Sequence, residues 1–148
     1  MVYLYEFEIF EEEGWHLVLP FDMDGGTQGT SFDDACEMAA DWLRIKCEDA
    51  LMYGKELPHP TFGNEPRHGG RVVLLGIDAS LDTIRKVTAS EAARRLGVTP
   101  GRVTQMIAAG LLEAFREGRR TWVTLDSVEQ RLAEERKAGR PKKEAVAV

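Results

Sequence analysis

Four aspartates raise the question of chemistry. Asp22 and Asp24 stand one residue apart in the turn FDMDGG, and Asp33 and Asp34 follow in SFDDACEM. Carboxylate oxygens in such numbers are ligands for a hard divalent cation, and a metal-dependent nuclease uses them that way. The catalytic arrangement needs carboxylates that converge from separate elements, whereas aspartate in a glycine-rich turn ordinarily bonds its own backbone. The turn reading is preferred, and neither a metal nor a cofactor is expected. His16, His59 and His68 show no ligand spacing with one another or with Cys36 and Cys47, so the chain carries no zinc motif. The two cysteines fall on one expected helix, where a rise of about 1.5 Å per residue separates them by roughly 16 Å, too far for a disulfide. They read as small buried hydrophobes. No Ser-His-Asp, Cys-His or phosphate-loop pattern assembles, so no catalytic residue is assigned and the chain is not expected to be an enzyme.

A second chemistry lies in the basic residues. The stretch VTASEAARRLGVTPGRVTQMIAAGLLEAFREGRRTWV, Val87 to Val123, crowds arginines into a chain whose net charge is -6. Division after Ile84 resolves the conflict: residues 1–84 carry 17 Asp/Glu against 5 Lys/Arg, and residues 85–148 carry 8 against 14, giving -12 and +6. Opposite charges on the two halves suggest separate partners, a basic protein for the first and a phosphate backbone for the second. With 148 residues, 43% hydrophobic and 30% charged, the chain is expected to be soluble, as one domain or two small ones. No run approaches the roughly 18 apolar residues of a membrane span, and VYLYEFEIFEEE is acidic where a signal peptide is basic, so a cytoplasmic location is expected.

The elements that must position these residues follow from periodicity. Tyr3, Tyr5, Phe7 and Ile9 alternate, as do Trp15, Leu17 and Leu19 beyond EEEG, which is a hairpin signal. Pro20 ends the second strand, and a short third is expected near Thr27 to Thr30. Ser31 caps a helix in which Phe32, Cys36, Ala39, Ala40, Leu43, Cys47, Ala50 and Leu51 recur at helical spacing, with Gly54 as its stop. LPHPTFGNEPRHGG is loop and RVVLLGI a strand, completing the order β-β-β-α-β.

In the second half Thr88 and Glu91 form an expected capping box for EAARRL, Gly97 supplies the turn, and Thr99-Pro100 starts a second helix closed by Gly110. Val103 and Ile107 turn inward, leaving Gly101, Arg102, Thr104 and Gln105 outward as groove readers. Arginine bonds guanine bidentately, glutamine bonds adenine, and Thr99 with the small Gly101 lets backbone amides approach a phosphate. EAFREGRRTWV reads as two strands around Glu117-Gly118, with Phe115 and Trp122 packed and Arg116, Arg119 and Arg120 projecting. Asp126 and Glu129 read as a second capping box opening a helix to about Lys137, with Val128 and Leu132 inward. The basic tail, residues 138–148, is expected to be disordered; its Gly139-Arg140-Pro141 resembles the core of a minor-groove arm, though a solvated tail is preferred.

Two resemblances add to this reading. The hairpin, the Pro20 turn, the SFDDACEMAADWL helix and GKELPHP resemble the N-terminal domain of HicB-type antitoxins over residues 1–80, although the turn reads PFDMDGG where that family usually has Pro-Asp-x-x-Gly-Cys. EAARRLGV, TPGRVTQMI, GLLEAFREGRRTWV and DSVEQRL resemble the winged helix-turn-helix of MerR-like and excisionase-type domains, assigned here to residues 87–137 behind a linker at 81–86. The resemblances imply an α+β chain: a partial ribonuclease-H-like domain followed by a winged helix-turn-helix. They further imply an antitoxin that masks a HicA-like, mRNA-cleaving toxin through contacts including Asp22, Asp24, Asp33 and Asp34. The same antitoxin would repress its own operon through Thr99, Gly101, Arg102, Thr104, Gln105, Arg116, Arg119 and Arg120, as a homodimer or higher even oligomer. The alternative is a stand-alone transcriptional regulator whose N-terminal domain dimerises or senses a ligand.

Overall fold

A computed structural model describes residues 1–138, which cluster into two units, Met1–Thr83 and the part that begins at Ile84. Among the described residues, four helices and two antiparallel sheets make a mixed α+β chain.

In the first unit, β1 (Val2–Glu12) and β2 (Trp15–Pro20) form a hairpin whose two turn residues, Glu13 and Gly14, take positive φ of 51° and 83°. That is the backbone a tight hairpin turn with native strand twist demands. β3 (Thr27–Gly29) pairs with β2, and β4 (Arg71–Asp78) returns antiparallel along the far side of β1, giving the order β3-β2-β1-β4. Helix α1 (Phe32–Tyr53) covers one face. Ser31 caps it by accepting the Asp34 N–H, and Gly54 ends it in the left-handed conformation.

Alternation places Tyr5, Phe7 and Ile9 of β1 against Ala35, Ala39, Leu43 and Cys47 of α1; β2 adds Val18 to this core, the opposite phase to the Trp15, Leu17 and Leu19 that alternate in the sequence, and Trp15 is exposed. Ala35, which the sequence spacing passes over, is fully buried, because α1 starts hard against β3: a Cβ on Gly29 would stand 2.4 Å from the Ala35 nitrogen. Cys47 is buried, and burial pushes its thiol up to about 11; Cys36 is only half-buried, and both are free thiols.

In the second unit β5 (Lys86–Thr88) and β6 (Ala114–Glu117) flank β7 (Arg120–Thr124). The linker read over 81–86 thus ends sooner, since Ile84 is buried and Lys86 pairs with Thr124. Helices α2 (Ala89–Leu96), α3 (Pro100–Ala108) and α4 (Leu125–Ala138) enclose a core of Ala92, Leu96, Val103, Met106, Leu112, Val123 and Val128. Within α3 the residue paired with Val103 in the core is Met106, with Ile107 only partly buried.

Two capping expectations change. Thr88 Oγ1 does accept the Glu91 N–H at 3.1 Å, but the Glu91 carboxylate binds Arg94 and Arg95. Asp126 lies inside α4 rather than ahead of it, and together with Glu129 it takes the Arg85 guanidinium, at 2.9 and 3.0 Å; Thr124 Oγ1 and Ser127 Oγ, 2.9 Å apart, lock the helix start instead. Residue 138 ends α4, and the remainder of the tail read as disordered, residues 139–148, lies outside the described residues. No helix among the described residues is long and apolar enough to cross a membrane.

Candidate functional site

The exposed face of α3 is built by its own cap. Thr99 Oγ1 accepts the Arg102 N–H at 3.2 Å, and Pro100 occupies the first turn, where its missing N–H costs nothing. The preceding turn is held by Gly97 at φ +67°, whose N–H reaches Arg94 O while Val98 N–H reaches Ala93 O. With Val103 and Met106 facing the core, Gly101, Arg102, Thr104 and Gln105 are all exposed. Arg102 Nη1 lies 3.5 Å from Gln105 Oε1, so the two side chains share one face; Thr104 Oγ1 turns back to Pro100 O at 3.3 Å. Thr104 thus bonds its own helix, and the outward pair is Arg102 and Gln105.

The β6–β7 hairpin turns at Gly118-Arg119 and not at Glu117-Gly118, since Glu117 pairs with Arg120. Gly118 has φ +62°, a backbone that favours glycine, and this puts Arg119 at the tip. Phe115 is buried and faces Trp122 across the strands, so Arg116, the next residue along β6, points away from it into solvent. The Arg120 guanidinium lies over the Trp122 ring, 5.3 Å from its centroid.

The arginines of this unit divide into two sets. Arg85, Arg94, Arg95 and Arg131 are each ion-paired to carboxylates of the same unit. Arg102, Arg116, Arg119, Arg120 and, near the end of α4, Arg136 have no carboxylate within ion-pair distance among the described residues, and all five are exposed.

Asp22, Asp24, Asp33 and Asp34 do not converge. Both carboxylate oxygens of Asp22 hold Thr61, through its N–H at 2.9 Å and its hydroxyl at 2.7 Å. Asp34 accepts the Thr30 N–H at 2.8 Å, reaching back from the first turn of α1 to the residue before its cap. Asp33 and Asp24 are exposed, Asp24 at the rim of a cavity of about 200 Å³ shared with Glu8, Arg67 and His68. Among the described residues no three His, Cys, Asp or Glu side chains are grouped to hold a metal ion.

Sequence reasoning missed a carboxylate cradle on the outer face of the sheet. Gly63 N–H and Asn64 N–H donate to Glu6 at 3.0 and 2.9 Å, and Asn64 Nδ2 adds a third bond at 2.9 Å. Glu8 receives the N–H groups of Arg67, His68 and Gly70 at 2.7, 2.8 and 2.9 Å. The Asn64 and Gly63 amides hold the Glu6 carboxyl below its ordinary range. Burial pushes Glu8 up, but its three amides outweigh burial and hold it low as well. The signal available was a loop, FGNEPRHGG, with many backbone donors and no strand to receive them.

No family model matches the chain, and no curated protein matches it. One chain of a solved structure described as "Toxin-Antitoxin complex from Streptococcus pneumoniae" is similar in fold, with a TM-score of 0.48 and 17% identity, over 74% of this chain and 99% of that one. A likeness that loose assigns no function.

Proposed function

We propose that the chain is an antitoxin and autorepressor. Its second unit binds operator DNA of its own operon as a winged helix-turn-helix, and its first unit binds and masks a small basic toxin of the HicA type, an mRNA-cleaving ribonuclease. The observation that carries the DNA-binding part is the division of the arginines: Arg85, Arg94, Arg95 and Arg131 are matched by carboxylates, and of the five unmatched among the described residues four lie on α3 and on the hairpin, the fifth being Arg136 near the end of α4. In this reading Arg102 and Gln105 meet base edges from the major groove, and Arg116, Arg119 and Arg120 meet the backbone beside it. A homodimer or higher even oligomer would present two such surfaces to a pseudo-palindrome.

Support for the masking part is the sequence resemblance of residues 1–80 and the charge of the first half, 17 acidic against 5 basic residues. An acidic inhibitor is steered to a cationic RNA-binding surface, and covering that surface requires no catalytic group. Asp33 and Asp24 remain outward and available for such contacts, whereas Asp22 and Asp34 serve the fold. The test is fluorescence anisotropy of the full chain on duplex DNA from upstream of its own gene, against a scrambled duplex, beside co-expression with the small protein encoded next to it. Preference for the upstream duplex together with rescue of growth supports the reading. DNA binding without rescue leaves a stand-alone regulator, and loss of both removes the proposal.

A further inference from the structure

Helix α1 turns a second apolar stripe away from the core. Its buried side is Ala35, Ala39, Leu43, Cys47 and Ala50. On the opposite side Met38, Ile45 and Met52 recur at seven-residue spacing, which keeps them on one line along about 21 Å of helix. Ile45 is 64% exposed and Met38 41%, whereas isolated exposed apolar residues need no explanation and an aligned set on a polar helix does. Glu37, Asp41 and Glu48 run along the same side. Of the two basic residues of the helix, Arg44 falls about 100° from Ile45, at the far edge of the acidic row between Asp41 and Glu48, which leaves the row net acidic, and Lys46 is folded over the Trp42 ring at 5.3 Å.

We infer that this face of α1 is a docking surface for a basic protein that offers an apolar strip flanked by lysine or arginine. Charge chooses among occupants. A second copy of α1 laid on the stripe would set acidic rows against each other, and nucleic acid would be repelled by the same rows, whereas a basic protein meets apolar with apolar and acid with base. The inference rests on the antitoxin reading and deepens it by naming the masking surface: the line of exposed Met38 and Ile45 and half-buried Met52, with Asp41 beside it. The apolar residues supply the holding contact, and the carboxylates supply orientation and rate of encounter.

The test co-expresses the full chain with the small protein encoded beside its gene, reads growth, and measures affinity between the purified partners for wild type, Ile45→Arg, Met38→Ser and Asp41→Lys. Ile45→Arg is expected to lose about thirtyfold in affinity, the loss of one interface anchor, and to fail to rescue growth. Asp41→Lys is expected to slow association and flatten its salt dependence. Because these side chains are exposed, the variants should melt as wild type does and retain DNA as wild type does, which separates a lost surface from a lost fold; Met38→Ser repeats the test without adding charge. If wild type and all variants rescue alike, the surface is wrong and the antitoxin reading survives. If wild type itself neither binds nor rescues, the reading fails and the surface falls with it.

Discussion

The two units carry opposite charge and put it to opposite use. In the first, the carboxylates of Glu6, Glu8, Asp22 and Asp34 are turned to the chain itself, each accepting one or more backbone N–H groups from a loop or a helix entry. In the second, the arginines at Arg102, Arg116, Arg119 and Arg120 are turned outward with no carboxylate partner among the described residues, while Arg85, Arg94 and Arg95 are neutralised internally. Net charge alone does not separate these cases. A charge with a bonded partner inside its unit supports the fold, and one without is available to a ligand.

Removing Glu8 is the largest expected break in that comparison. Glu8→Ala leaves three loop amides without their acceptor and should cost about 3 kcal/mol, read as faster hydrogen exchange of the β1 amides, with DNA affinity unchanged. Acid should act on the same feature. The Glu6 and Glu8 carboxyls are held below their ordinary range in the fold, so their stabilisation is present above the unfolded value of about 4.3 and is lost as pH falls through the lower folded values. Melting of wild type should therefore steepen in its pH dependence below about pH 4, and Glu8→Gln should flatten it. Arg102→Ala should next remove about 1–2 kcal/mol of preference for the upstream duplex over a scrambled one, with no change in melting. Arg119→Ala should weaken binding to both duplexes alike and reduce the slope of log affinity against log salt by about 1. Arg94→Ala, whose partner is Glu91 on the same exposed helix face, should change either quantity by no more than about 0.5 kcal/mol. A large effect of Arg94→Ala on DNA would show that the internal pairing of an arginine does not exclude it from the binding surface.

What was legible in the sequence was local. Ser31, Thr88 and Thr99 cap the helices they precede, Gly54 and Gly97 end theirs, and the alternation of Tyr5, Phe7 and Ile9 finds the β1 side of the first core, because each of these signals acts within a few residues of itself; in β2 the alternation of Trp15, Leu17 and Leu19 marks the strand but not the face that is buried, which is Val18. The outward set Gly101, Arg102, Gln105 was legible for the same reason, since helix periodicity fixes which positions oppose Val103. What was not legible was set by partners far along the chain. Alternation puts Glu6 and Glu8 on the face away from α1 and treats that face as open to water; the loop at 61–70, more than fifty residues on, covers it. Asp126 and Glu129 have capping-box spacing, yet Arg85, about forty residues earlier, claims both. The turn at Gly118-Arg119 was missed by one residue because register, fixed by Phe115 against Trp122, decides which residues turn.

The most direct test of the account compares wild type with a variant in which Arg102, Arg116 and Arg119 are all alanine, measuring melting temperature and the salt dependence of DNA binding on the same samples. Melting within the small range of surface substitutions, together with a salt slope flattened by two or three phosphate contacts, is the result the account predicts. A lowered melting temperature with an unchanged salt slope would contradict it, placing these arginines in the fold and the DNA surface elsewhere.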